Sequence, residues 1–159
     1  MKSALSLIVF DLDFTLWDCG GMWVDCTDPP FRKTGDGKFL DRSNRFLKMY
    51  PDVPEILAEI KEMGCQTALA SRTERPDWAR QLLDLMGYRN CFDFEEIFPS
   101  SKVAHFANLK EKSGIPYDEM LFFDDEARNI LEVGNLGVKC VEINRGIDRE
   151  AFRNGLKWF

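Results

Sequence analysis

Two aspartates separated by one apolar residue, Asp11-Leu12-Asp13, are the residues of this chain best placed to do chemistry. They follow an unbroken apolar run from Leu7 to Phe10. Such a pair can hold a hard cation such as Mg²⁺, which takes oxygen ligands and keeps several waters. One carboxylate can also attack a phosphoryl group and form an aspartyl-phosphate. The other can serve as general acid and then as general base. A solvated loop that happens to carry two acids is the plainer explanation of a bare Asp-x-Asp. The apolar run before the pair and Thr15-Leu16 after it favour the chemical reading. If the extended chain continues through Leu12, alternation points both carboxylates the same way.

Chemistry at Asp11 needs a strand that ends there. A short apolar run stopped by a polar switch is the pattern of a strand buried on both faces, as in a parallel sheet, whose carboxyl edge is where ligands bind. The pattern recurs. Cys65 to Ala70 is largely apolar and ends in Ser71-Arg72-Thr73, a hydroxyl and a planar two-pronged donor suited to phosphate oxygens. Met120 to Phe123 ends in Asp124-Asp125-Glu126. Phe94 to Phe98 is a further short strand, followed by Ser100 or Ser101 as a helix cap and Lys102 in the first turn. A lysine there opposes the helix dipole, and a local rule broken in this way marks a candidate site. Helices are predicted over Pro51 to Gly64, Pro76 to Met86, Lys102 to about Lys112, Ala127 to Val133 and Asp148 to Trp158, with a last strand over Val138 to Ile143. Strands alternating with helices imply a right-handed, mostly parallel, three-layer α/β domain.

The 159 residues and 45% apolar content suit one domain, 1–159, with one good core. A net charge of −6 argues against a general nucleic-acid binder. No segment has the form of a signal peptide or the length of a membrane span, so a membrane partner is not expected. Five cysteines without a Cys-x-x-Cys pair suit a reducing, cytoplasmic setting. The long stretch at about 17–42 is rich in Gly and Pro, carries Trp17, Met22, Trp23 and Phe31, and leaves directly from the acid pair. It reads as an irregular lid that shapes the substrate pocket, with Trp23 the candidate contact, or else as a loop anchored on the core by its aromatics. Thr34 to Lys38 reads as a hairpin turn. Cys26 and Arg32 have a Cys-x5-Arg spacing, but Pro29 and Pro30 offer no N–H to an anion, so Cys26 is a bystander. His105, the single histidine, has no obvious partner and is read as structural or exposed.

Asp11-Leu12-Asp13-Phe14-Thr15-Leu16-Trp17, Ala70-Ser71-Arg72-Thr73, Lys102 and Phe122-Phe123-Asp124-Asp125-Glu126 together resemble the four motifs of haloacid dehalogenase (HAD) superfamily phosphatases, most like the magnesium-dependent phosphatase-1 branch. The resemblance covers nearly the full length. It implies a Rossmann-like HAD fold without a separate cap domain, and Mg²⁺ as cofactor. It implies Asp11 as nucleophile, Asp13 as general acid and base, and Lys102 as the neutralising cation. Asp11, Asp13 and Asp125 would ring the ion, while Asp124 orients a metal-bound water or holds Lys102. Leu12 through its N–H, Ser71, Arg72, Lys102 and Trp23 would meet the phosphate or the rest of the substrate. The expected partner is a phosphorylated small molecule or phosphoprotein, including phosphotyrosine and sugar phosphates; oligomeric state is not legible. A receiver-like phospho-acceptor domain places its acids in the reverse order, and an idle binding scaffold has no use for intact motifs.

Overall fold

The elements follow the apolar runs closely: β1 (Leu7–Phe10), β2 (Trp17–Cys19), β3 (Arg32–Lys33), β4 (Phe39–Leu40), β5 (Phe46–Met49), α1 (Val53–Met63), β6 (Gln66–Ser71), α2 (Pro76–Met86), β7 (Phe94–Ile97), α3 (Lys102–Ser113), β8 (Met120–Asp124), α4 (Ala127–Gly134), β9 (Lys139–Glu142) and α5 (Arg149–Leu156). This computed structural model describes residues 4–159. Five strands form one parallel sheet in the order β7-β6-β1-β8-β9. β1 lies at its centre because all four of its residues are apolar and fully buried. Alternation sends Ile8 and Phe10 into one core cluster with α1, α2 and α5, and Leu7 and Val9 into a second with α3 and α4. The chain leaves β1 toward β6 and β7, then returns on the other side as β8 and β9. The carboxyl ends of β1 and β8 therefore flank a switch point, where α/β sheets bind ligands.

The helix ends obey local rules. Ser101 caps α3 by accepting from Ala104 N, and Asp148 caps α5 by accepting from Ala151 N. Gly64, Gly87 and Gly114 close α1, α2 and α3 in the left-handed conformation. No helix among the described residues is long and apolar enough to cross a membrane.

The stretch at 17–42 is more ordered than its composition predicts. With β5 it forms a four-stranded antiparallel sheet in the order β2-β5-β4-β3. The hairpin turn over Thr34–Lys38 is present between β3 and β4. Asp41, fully buried, organises the sheet's far end. Its Oδ1 accepts from the N–H groups of Ser43 and Arg45, each at 2.9 Å, and its Oδ2 accepts from Asp28 N and Arg45 Nη1, each at 3.0 Å. Strands of two to four residues are too short to show a period in the sequence, which is why this sheet is not legible there.

Candidate active site

β1 ends at Phe10, and the chain then turns sharply. Leu12 carbonyl accepts from the N–H groups of Thr15 and Leu16, and Phe14 takes a left-handed φ of 60°. A non-glycine residue rarely holds that conformation, and such strain gathers at functional sites. The turn presents Asp11 with both oxygens engaged. Lys102 Nζ donates to its Oδ1 at 3.0 Å, and Thr15 Oγ1 donates to its Oδ2 at 3.2 Å.

Lys102 is 1% exposed. Besides Asp11 it donates to the carbonyl of Ala70 and lies 3.4 Å from Asp124 Oδ2. The lysine at a helix start thus has its reason: it stands between the carboxyl ends of three strands. Asp124 is fully buried. Its Oδ1 accepts from Glu126 N at 2.8 Å, and its Oδ2 accepts from Asn129 Nδ2 at 3.0 Å. Carboxylate oxygens of Asp11, Asp124 and Asp125 all lie within 4.8 Å of one another. Burial, then the Asp11 charge, raises the carboxyls of both Asp124 and Asp125. Three acids and one lysine leave this cluster short of positive charge.

Asp13 faces elsewhere. Its Oδ1 accepts from Trp17 Nε1 and Val24 N, both at 2.9 Å, and its carboxylate is not among the gathered trio. Asp13 lies beyond the strand, which ends at Phe10 before alternation can align it with Asp11. Burial, then the charge of Asp11, pushes its carboxyl up to about 7, against the two N–H donors.

The remaining candidates divide. Ser71 is buried at the end of β6, its Oγ accepting from Thr73 N at 3.3 Å. Leu12 is buried in the core through its side chain. Trp23 is 53% exposed and immediately precedes Val24, whose N–H donates to Asp13. Arg72 turns toward α4: its Nη2 donates to Asn129 Oδ1 at 2.6 Å and to Glu132 Oε2 at 3.2 Å. The stretch that reads as a lid is tethered, because Asp25 accepts from Thr73 Oγ1 and from Glu74 N at 3.0 Å. The bond from Thr15 to Asp11, the support Asn129 gives Asp124 and the Asp25–Thr73 clasp are not legible in the sequence. For Asn129 a signal existed, a polar residue on the buried side of α4 one turn after the acids. A cavity of about 440 Å³ lies between β4, β5 and the end of α2, lined by residues including Phe39, Phe46, Met86 and Tyr88; none of the candidate site residues lines it.

The profile of the family described as acid phosphatase matches residues 3–159. The chain belongs to the acid phosphatase family. Its relatives include a human protein, magnesium-dependent phosphatase 1, 46% identical over 154 residues that cover 96% of this chain and 86% of that one. A HAD-like hydrolase superfamily protein of Schizosaccharomyces pombe is 37% identical over 147 residues, covering 85% of this chain and 83% of that one. Among solved structures, L-2-haloacid dehalogenase from Xanthobacter autotrophicus superposes with a TM-score of 0.62 at 19% identity, covering 96% of this chain and 82% of that chain. This acid phosphatase family member is therefore a HAD-fold protein of the superfamily its four motifs resemble.

His105 is fully buried in this family member, with Nε2 2.9 Å from Phe98 O and its ring packed edge-on against Phe98. Burial, with a smaller push from Lys102, lowers it from 6.5 to about 4, so it is neutral at pH 7. An unfolded chain binds its proton at higher pH than the folded one. Stability is thus complete above about pH 6.5 and is lost as pH falls toward 4. The raised carboxyls of Asp13, Asp124 and Asp125 act in the opposite sense, so the wild-type-minus-variant difference isolates His105. At pH 5 its cost is about 2 kcal/mol. Urea midpoints at pH 7 and 5 should show wild type losing that much more than His105→Gln. Parallel losses in the two proteins would remove His105 from the acid response.

Proposed function

We propose that this chain is a magnesium-dependent phosphatase that hydrolyses phosphomonoesters through an aspartyl-phosphate on Asp11. The observation that carries the reading is Asp11 itself: a carboxylate at the end of the central strand, oriented by Lys102 on one oxygen and Thr15 on the other. The name of the human relative supports the same class.

Asp11 attacks phosphorus, and the bond to the leaving oxygen breaks. Asp13 gives its proton to that oxygen. Its Oδ1 is taken by two N–H donors, so Oδ2 is the atom that carries the proton. Asp13, now a carboxylate, takes a proton from the water that attacks the acyl phosphate, and Asp11 is freed. Lys102 offsets charge on the nucleophile and on the phosphoryl oxygens, while Ser71 and the N–H groups beyond β1 line the phosphate position. The acid cluster fits a divalent cation, with Asp11 and Asp125 as direct ligands. Asp124 is buried more deeply than Asp11 and Asp125 and is held by Glu126, Asn129 and Lys102, and so positions rather than ligates. Asp13 keeps the acid–base role without a carboxylate bond to the ion. When bound, Mg²⁺ supplies Lewis-acid stabilisation of the phosphoryl oxygens. Arg72 acts through Asn129, as a brace for Asp124 rather than a hand on the phosphate.

Phosphotyrosine and sugar phosphates are the proposed substrates, with Trp23 as a wall for either ring. The five free thiols support work in a reducing compartment, the cytoplasm. The test is hydrolysis of p-nitrophenyl phosphate after chelation. We expect a loss of at least about 100-fold with EDTA, restored by Mg²⁺ but not by Na⁺. A rate indifferent to chelation would sink the metal-dependent reading.

A further inference from the structure

We propose that Arg145 forms an anion subsite at the mouth of the active site, selecting small phosphomonoesters whose leaving alcohol carries a carboxylate or a second phosphate. The inference rests on the phosphatase reading above and names its substrate class. Asp13, the group that protonates the leaving oxygen, is flanked on two sides. The Val24 turn with Trp23 donates to it from one side. On the other side its neighbour Phe14 is covered by the guanidinium of Arg145, 4.9 Å from the ring centroid. Arg145 is thereby held against the residue that follows Asp13, and Trp23 precedes the residue that donates to that aspartate.

The backbone holds Arg145 there. Gly146 N donates to Phe14 O at 2.7 Å, and Ile147 N donates to Thr15 O at 2.9 Å. The strap after β9 is thus sewn directly onto the turn that carries the two catalytic aspartates. Gly146 has no alternative at its position: its φ is +93°, and a Cβ there would lie 2.4 Å from the Tyr50 ring. Arg145 itself is a non-glycine residue with a φ of 33°. A bulky side chain held in a disfavoured conformation beside a reactive turn points to use rather than accident.

Its charge is available. Arg145 is exposed and makes no ion pair among the described residues, in a chain of net charge −6. The Tyr50 hydroxyl, raised to about 12 by burial and then by Asp18, is pulled back by Arg145 and raised further by Asp125. Stacked on an aromatic face, a guanidinium keeps its edge donors for a planar carboxylate or a phosphate.

The experiment compares two phosphonates that cannot be hydrolysed, benzylphosphonate and 4-carboxybenzylphosphonate, by calorimetry with Mg²⁺ present. Wild type should bind the carboxylated compound at least about fivefold more tightly, as a charge-assisted guanidinium contact requires. In Arg145→Gln the ratio should fall to about one, and in Arg145→Lys to an intermediate value. Equal binding of the two by wild type, or a preference that survives in Arg145→Gln, would overturn the subsite. Turnover of phenyl phosphate by wild type tests the parent reading separately. No hydrolysis together with a lost ratio in Arg145→Gln would refute the phosphatase chemistry and leave the anion subsite standing.

Discussion

Asp11→Asn abolishes phosphomonoester hydrolysis, by at least about 10⁴-fold in kcat, while the protein stays folded. An amide has the shape of the carboxylate but cannot displace a leaving group at phosphorus. The Thr15 hydroxyl still has an oxygen to bond, so the turn from Leu12 to Leu16 is preserved. Two effects on stability oppose each other. Lys102 loses one of its ion pairs, at 3.0 Å. Asp124 and Asp125 lose the neighbour whose charge raises both carboxyls. We therefore expect a melting temperature within a few degrees of wild type, with the activity gone. Steady-state kinetics and a thermal melt on the same preparation decide it. A variant with a tenth of the wild-type rate would remove Asp11 from the nucleophile's place.

What the sequence could reveal divides along a physical line. β1, β6 and β8 are legible because a strand buried on both faces must be apolar, and each run stops at a polar residue. α2 was legible to the residue, bounded by Pro76 and Gly87. A serine cap, at Ser100 or Ser101, and Lys102 as the misplaced charge are equally visible, since each satisfies or breaks a local rule; the structure makes the cap Ser101. Three things were not. The small antiparallel sheet rests on strands too short for a period, and its organiser, Asp41, looks like any loop acid until its four donors converge. The partner of Arg72 is 57 residues away on α4, and no local pattern links the two. Alternation does not reach Asp13, because the strand stops at Phe10, and the partners its carboxylate meets, Trp17 Nε1 and Val24 N, lie further along the chain.

Lys102→Met should cost about 3–5 kcal/mol of stability, more than any other single change at this site. Methionine matches the stem of the lysine, so packing against Phe122, where the ammonium now lies 5.6 Å from the ring centroid, changes little. The loss comes from what remains. Asp124 stays fully buried with its one nearby cation gone, and the carbonyl of Ala70 loses its donor. Burial without a partner is the expensive state for a carboxylate, much more so than the absence of both partners. The double variant Lys102→Met/Asp124→Asn should therefore recover part of the stability, because Asn keeps an acceptor for Glu126 N and carries no charge, although its Nδ2 then faces the donor of Asn129. Urea unfolding of wild type, both single variants and the double variant gives the coupling energy directly. A Lys102→Met cost below about 1 kcal/mol would mean the ammonium is compensated elsewhere. Catalysis should not follow stability in this cycle. The double variant regains part of its stability but has no cation beside Asp11, so its hydrolysis rate should stay as low as that of Lys102→Met. That separation assigns the lysine two tasks, holding a buried acid and neutralising a reacting one.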